Sequence, residues 1–519
     1  MSSRLRLLPP AALLGLGLAA GVWLVARAVN GDERRAREGA QLLDIVMQRV
    51  RDAYVDSVPE ERLWEAAVQG LVTQLGDPHS AYLTPERVER LQRSVSNSYR
   101  GVGLQVDVRD GWITVLQPRP NSPAERAGLQ PGDRLVEVDG RSMQGWAVSE
   151  ASTALRGPLG STVHVVIERG SGTRIPVTLE RADIRVAAVT RATVLPDGVG
   201  YVAVANFSDS TEAELIAAVD SLRRVGARSL VMDLRGNPGG LLDQGVGVAD
   251  LFLPEGKQIV TTRGRVAEAN ASYMDRSAER WAGMPLVLLV SAGTASAAEI
   301  VAGALQDHDR ALVMGQVTFG KGSAQAVYPL ENGAAVVLTH ARWFTPLGRS
   351  LETPLPGEIP LADADTARPV FRTAEGRRVL GGGGIVPDVF AGDSLPNLAE
   401  RRFFAELGVD VPRWREALTA EARALIAERA VRDSMFTVNP AWRSRVRARL
   451  AQLGVRVNAA TFDAVPSLVD RSLGNEIARQ GWGIPYSQRR LVRNDAVVAR
   501  AAELLRRARS PRDVFVSED

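Results

Sequence analysis

Pro285-Leu-Val-Leu-Leu-Val-Ser291, Gly293-Thr-Ala-Ser296 and Thr318-Phe-Gly-Lys-Gly-Ser-Ala-Gln325 decide how this chain is organised. The first is an uninterrupted apolar run, the pattern of a buried strand. A turn of small residues follows, then a helical pattern from Ala297 to about Leu305, a second short strand at Ala311–Met314, and the glycine-flanked Lys321. Lysine is scarce. Of 63 Lys and Arg, only Lys257 and Lys321 are lysine. Arginine keeps its proton in proteins, whereas a desolvated lysine can lose it. Lys321 therefore marks a position suited to a neutral amine.

Such a base needs a nucleophile, and the chain has no cysteine. Ser296 stands where a strand ends and a helix begins, and a helix N-terminus favours negative charge developing nearby. Ser296-Ala-Ala-Glu299 also fits a capping box, with the serine capping and Glu299 reaching back. A Ser–Lys pair needs burial to hold the lysine neutral and a third group to orient its amine. Gln325 is a candidate for that group.

Gly293-Thr-Ala-Ser-Ala-Ala-Glu-Ile300, Ala302-Gly-Ala-Leu-Gln-Asp307 and Thr318–Gln325 resemble the carboxyl-terminal processing (tail-specific) proteases. The resemblance implies Ser296 as nucleophile, Lys321 as base and Gln325 as the orienting amide. The 25 residues from Ser296 to Lys321 agree with that family's spacing. Thr294 and Ala298 replace serines common in its small-residue run.

Net charge is only +3, so overall charge implies no partner. Zero cysteines argue against disulfides and zinc knuckles, and four scattered histidines make a His-rich metal site improbable. No metal, nucleotide or other cofactor is expected. Arg4 and Arg6 precede a charge-free stretch, Leu7–Ala26, long enough to span a bilayer. It is either an uncleaved anchor or a signal peptide cut near Ala26-Arg-Ala28, and the arginine between the alanines favours the anchor. The positive flank predicts export of the chain beyond Val29: an inner-membrane-anchored catalytic part in the periplasm, or secretion there after cleavage.

From Asp32 to about Arg93 the pattern is helical, with Leu42, Ile45, Val46 and Val50 at helical spacing. His79 lies in the break Leu75-Gly-Asp-Pro-His-Ser80 and is read as structural. Residues 96–182 switch to short strands around Ser122–Leu129 and a helix near Val148–Leu155, an order that resembles a permuted PDZ domain. Tyr99-Arg-Gly-Val-Gly-Leu104 would be its carboxylate loop, with Gly101, Val102, Gly103 and Leu104 binding a peptide C-terminus through backbone N–H groups. An ordinary Gly-containing hairpin is the plain alternative.

From Ile184 to Val389 strands and helices alternate. Arg235-Gly-Asn-Pro-Gly-Gly240 follows the strand Ser229–Leu234. Its glycines can aim N–H groups at an oxyanion, or serve a helix-entry turn. The family resemblance implies an oxyanion hole from Gly239, Gly240 and the Ala297 N–H. Residues 351–382 look like a polar insertion forming a surface loop. Beyond Leu395 the chain is helical, rich in arginine and laced with acids, without the aromatic stacking pattern of a nucleic-acid binder. A solvated helical face or an oligomerisation arm fits better, and no nucleic-acid partner is expected.

The expected architecture is α/β and α+β, multidomain. Residues 1–30 are an anchor or signal peptide, 32–95 a helical region and 96–182 a β-rich PDZ domain. Residues 183–392 are an α/β serine protease core, ClpP/crotonase-like by the family resemblance, and 395–519 an Arg-rich helical extension. The expected function is an exported serine endopeptidase whose substrates are proteins or peptides with free C-terminal tails. Three alternatives stay in view. Gly315–Gly322 nearly matches a P-loop, but Gly322 stands where Ser or Thr should hold Mg²⁺. A membrane-anchored PDZ scaffold without catalysis would make Ser296, Lys321 and Gln325 vestigial. A Ser–His–Asp triad could draw on His308 or His340, although the former sits in a polar helix end.

Overall fold

The structure, a computed structural model, describes residues 37–515 apart from 96, 110, 171, 354–367, 393–397 and 435. The expected anchor at 1–30 lies outside the described residues. No helix among the described residues is long and apolar enough to cross a membrane. The chain divides into two units, Met1–Tyr82 and Leu83–Asp519.

In the first unit a helix runs through residues 37–53 and a second spans Glu60–Thr73. The helical spacing of Leu42, Ile45 and Val46 is present, yet all three are exposed. Asp77 stitches the following turn, accepting from the His79 N–H at 3.0 Å and from the Ser80 hydroxyl at 2.5 Å.

The second unit opens with the helix Pro85–Val95 and then an antiparallel sheet. Its strand order is Leu104–Arg109, Trp112–Pro118, Arg134–Val138, Thr162–Arg169, Thr173–Glu180. Val163, Val165 and Ile167 alternate inward and meet Ile113, Leu135 and Leu155 in one core. The helix Val148–Leu155 contributes Ala151 and Leu155 to it. Leu104–Arg109 is an edge strand. A ribbon pairing Ser98–Gly101 with Ala182–Arg185 ties the beginning of this region to its end.

Next comes a six-stranded sheet in the order Val189–Leu195, Val199–Val204, Ser229–Asp233, Leu286–Val290, Leu312–Gly315, Val389–Phe390. Only the first pair is antiparallel. Parallel strands covered on both faces need apolar side chains at nearly every position, and Ser229–Asp233 and Leu286–Val290 are buried throughout. One face packs against the helices Thr211–Arg224, Leu242–Asp250 and Ala297–Asp307. The other is covered by Val497, Val498, Ala501 and Leu505 of the helix Ala496–Arg507. A second sheet joins Ser323–Pro329, Ala335–Phe344, Gln258–Gly264 and Ala271–Met274.

Two expectations need revision. The 351–382 segment is more than a surface loop where it is described: Leu351, Thr373 and Val379 are buried. Val370–Arg372 and Arg378–Leu380 form a hairpin. The buried Arg349 guanidinium pins it, donating to the Leu380 carbonyl at 3.0 Å while paired with Asp307. The C-terminal region, in turn, has its own core around Phe403, Trp414, Leu425, Val446, Phe462 and Leu473. Many of its arginines are spent inside it, as in Arg449–Glu421 at 2.9 Å, Arg471–Glu400 at 2.7 Å and Arg443–Asp470 at 2.8 Å.

Candidate active site

Ser229–Asp233, Leu286–Val290 and Leu312–Gly315 are adjacent and parallel, so the loops after them emerge at the same edge of the sheet. Those loops carry Gly239 and Gly240, Ser296, and Lys321. Ligands of open α/β sheets bind at this carboxyl edge, and the strand register alone brings together residues up to 82 positions apart in sequence.

Ser296 has φ 56° and ψ −121°, a backbone conformation that non-glycine residues rarely adopt. Such a turn at a strand-to-helix junction projects the hydroxyl from the sheet edge. The helix behind it is buried at every position from Ala297 to Asp307, which accounts for its run of Ala and Gly. Only half of the expected capping box forms. The Glu299 carboxylate accepts from the Ser296 N–H at 2.8 Å, whereas the Glu299 N–H donates to the Ser296 carbonyl at 2.8 Å, and no cap hydrogen bond to the serine hydroxyl is found among the described residues.

Glu299 is the residue whose importance the sequence understated. It is wholly buried and accepts four hydrogen bonds. Oε1 takes the Thr318 hydroxyl at 2.5 Å and the Gly320 N–H at 2.8 Å. Oε2 takes the Lys321 N–H at 2.9 Å beside that of Ser296 at 2.8 Å. One oxygen thus clamps the Ser296 turn and the Lys321 loop together. The Phe319 N–H adds a direct link to the Thr294 carbonyl at 2.9 Å. Burial pushes the Glu299 carboxyl above its usual value, and the four donors oppose this. The Ser-x-x-Glu spacing was the available signal, but it suggested a local cap and not a tie across 22 residues.

Lys321 is half-buried, and its amine makes no hydrogen bond or ion pair among the described residues. Burial lowers its pKa, against the opposing pull of Glu352 and then Glu299. The flanking glycines answer close approaches: a Cβ on Gly322 would overlap the Glu352 backbone, and one on Gly320 the Thr353 side chain. Gln325 lies on the next strand, at an irregularity in its pairing. Its amide nitrogen donates to Ser323 Oγ at 2.9 Å and Thr339 Oγ1 at 3.2 Å, which fixes the side chain. No hydrogen bond joins it to Lys321 among the described residues.

Loop 235–240 is laced to the serine turn. Asn237 receives the Ala295 N–H on its carbonyl at 2.9 Å, and its Nδ2 donates to the Val204 carbonyl at 2.9 Å. Gly239 has φ 94°, and a Cβ there would lie 2.7 Å from the Ala295 oxygen and the Ser296 Cβ. The Gly239 N–H is committed to Asn237 Oδ1 at 2.9 Å. Those of Gly240 and Ala297 have no hydrogen-bond acceptor among the described residues.

The alternatives fit less well. A strand, Ser323–Pro329, follows Gly322 where a P-loop needs a helix. His308 caps the far end of the serine helix, about 16 Å along its axis from Ala297. Its Nε2 lies 2.7 Å from the Gln258 carbonyl oxygen, so it is half-buried and engaged, not solvated. In the region of residues 96–182, the carbonyls of Val102 and Gly103 accept from Ala124 and Arg119, at 3.0 and 2.8 Å. The Val102 and Gly103 N–H groups meet no acceptor among the described residues.

Known proteins bear on these arrangements. The sequence profile of Peptidase family S41 matches residues 198–358, that of the PDZ domain 114–169, and that of the activating protease CtpB N-terminal domain 27–87. Carboxy-terminal processing protease CtpA of Bacillus subtilis is 34% identical over 334 residues, 62% of this chain and 71% of that protein. The carboxy-terminal-processing protease of Bartonella bacilliformis is 35% identical over 349 residues, 65% of this chain and 78% of that protein. Among solved structures, the photosystem II D1 C-terminal processing protease aligns with 30% identity and a TM-score of 0.38. That alignment covers 67% of this chain and 87% of that one. On this homology the chain belongs to the carboxy-terminal processing proteases of peptidase family S41, PDZ domain included, and is a serine-type protease.

Proposed function

We propose that Ser296 is the nucleophile, neutral Lys321 the base and Gln325 a fixed amide beside them, in an exported protease that takes C-terminal tails. What supports this most is the Glu299 carboxylate, which holds the backbones of Ser296 and Lys321 on one oxygen. Ser296 Oγ attacks the scissile carbonyl carbon as its proton passes to Lys321 Nζ. The N–H groups of Gly240 and Ala297 receive the oxyanion. The lysine then returns its proton to the leaving amine as the C–N bond breaks, and water hydrolyses the acyl-enzyme by the same route.

Capture is assigned to the PDZ domain. The free edge Leu104–Arg109 can pair with an extended peptide. The Val102 and Gly103 N–H groups, next to Gly101 and Leu104, would hold the terminal carboxylate. Export and membrane attachment rest on Arg4, Arg6 and the charge-free Leu7–Ala26. The deciding experiment labels the purified protein with a fluorophosphonate and maps the adduct. Modification at Ser296, lost with peptide hydrolysis in Ser296→Ala, is expected. An adduct on another serine with activity intact in Ser296→Ala would sink the assignment.

A further inference from the structure

Arg235 opens the loop that carries Gly239 and Gly240, and its guanidinium reaches 260 residues along the chain to Asp495. Nη2 donates to Asp495 Oδ2 at 2.7 Å and to Asp233 Oδ2 at 2.7 Å. Nε completes the fork on Asp233, whose Oδ1 also accepts the Arg235 N–H at 3.0 Å. Tyr201 donates its hydroxyl to Asp233 Oδ2 at 2.8 Å. All three charged side chains are largely buried, with 16%, 19% and 8% of Arg235, Asp495 and Asp233 exposed. Asp495 is also the N-cap of the helix Ala496–Arg507: its Oδ1 accepts from the Val497 and Val498 N–H groups at 2.9 and 3.0 Å. Its two oxygens therefore do different work, one capping a helix and one holding Arg235.

From Arg235 the path to the oxyanion donors is short. The Gly236 N–H donates to Ser291 Oγ at 3.0 Å, and the Leu234 carbonyl accepts from Thr294 Oγ1 at 2.8 Å. The Asn237 carbonyl accepts the Ala295 N–H, and Gly239 is fastened to Asn237. We infer that Asp495, in the helical C-terminal region, is a positioning residue for the protease: through Arg235 it holds loop 235–240 so that Gly240 and Ala297 present their N–H groups together. This rests on the Ser296 mechanism proposed above. It gives the C-terminal region a share in catalysis without contact with substrate. Asp233 lies on the strand that Arg235 leaves, so the Arg235–Asp233 fork is local, and Asp495 supplies the anchor on a separate element.

Asp495→Asn separates the two roles, because Asn caps a helix about as well as Asp but cannot neutralise the guanidinium. In the full chain, Asp495→Asn is expected to lower kcat by roughly 5- to 30-fold, the effect of losing an interaction worth a kilocalorie or two. KM stays near wild type. A peptidyl boronate, whose tetrahedral adduct needs the oxyanion donors, should lose affinity in parallel. Binding of a free-acid peptide to Ser296→Ala/Asp495→Asn should match that to Ser296→Ala. Asp495→Glu, which keeps the charge, should recover part of kcat. Wild-type kcat and boronate affinity in Asp495→Asn would overturn the inference. So would a fall in kcat accompanied by equal losses in peptide binding and Tm, the mark of general loosening. The underlying mechanism fails separately, and takes this inference with it, if Ser296→Ala alone leaves hydrolysis intact.

Discussion

At the residue level, the decisive contrast is between two lysines. Lys257 is exposed, while Lys321 is half-buried between loops clamped by Glu299. Lys321→Arg is expected to abolish peptide hydrolysis with the fold intact, because guanidinium keeps its proton. Lys257→Arg should leave kcat/KM unchanged, and comparable activity in both variants would remove Lys321 from the mechanism. As the proposed base, the same lysine should also set the pH profile. Burial lowers its pKa, and the proposed mechanism needs the deprotonated form. Activity should therefore rise with pH through an apparent pKa below the ~10.4 of free lysine and fall away below it. A kcat/KM profile unaltered in His308→Ala and His340→Ala checks that no histidine produces this limb. Glu299→Gln tests the clamp. An amide nitrogen cannot accept, so two of the four donors lose their partner, at about 1–3 kcal/mol each. Thermal unfolding should register the loss and kcat should collapse with it. A variant that kept wild-type Tm and rate would show the clamp to be dispensable.

Among the elements, the PDZ edge strand and its loop make a claim about ligand chemistry. If the Val102 and Gly103 N–H groups grip a terminal carboxylate, amidating a peptide's C-terminus removes a charge-assisted interaction of ~1.5–3 kcal/mol. That corresponds to roughly 10- to 150-fold in affinity. Titration of Ser296→Ala with an apolar tail peptide, as free acid and as amide, measures it directly. Equal affinities would end the tail-specific assignment and leave the Ser–Lys chemistry untouched. The sheet-edge loops make a claim about geometry. Gly239→Ala would press a methyl group into the Ala295 carbonyl and the Ser296 side chain, at a φ that alanine resists. It should therefore cripple kcat.

For the molecule as a whole, the helix Ala496–Arg507 and the turn Pro511–Phe515 pack onto the six-stranded sheet. Val497, Val498, Leu505 and Val514 are buried in a shared core with Tyr201, Val231, Val287 and Leu289 of the sheet. At roughly 1.5–3 kcal/mol for each large side chain, they contribute about as much as the ~5–15 kcal/mol that keeps a typical domain folded. Ending the chain at Asn494 should abolish the cooperative thermal transition of the core, as read by circular dichroism. A shortened chain with wild-type Tm would show this face to be an accessory.

The sequence by itself determined the local elements and pointed to the residues of the proposed site. The uninterrupted apolar runs are buried parallel strands, and Val148–Leu155 is a helix where the sequence places one. The scarcity of lysine marked Lys321, and the strand-to-helix junction marked Ser296, before any contact was known. What the sequence left open depends on which strands are neighbours. Gly240, Ala297 and Lys321 share a site because three parallel strands end at one edge, a fact of register that no local pattern encodes. Glu299 looked like a cap because three residues separate it from Ser296, while its partners Thr318, Gly320 and Lys321 arrive from another strand's loop. Asp495 looked like one more acid in an arginine-rich tail. Only the packing of that tail's last long helix on the far face of the sheet places it against Arg235. Hydrogen bonds between loops are decided by tertiary packing, since their donors and acceptors belong to segments whose proximity exists only once the core has formed.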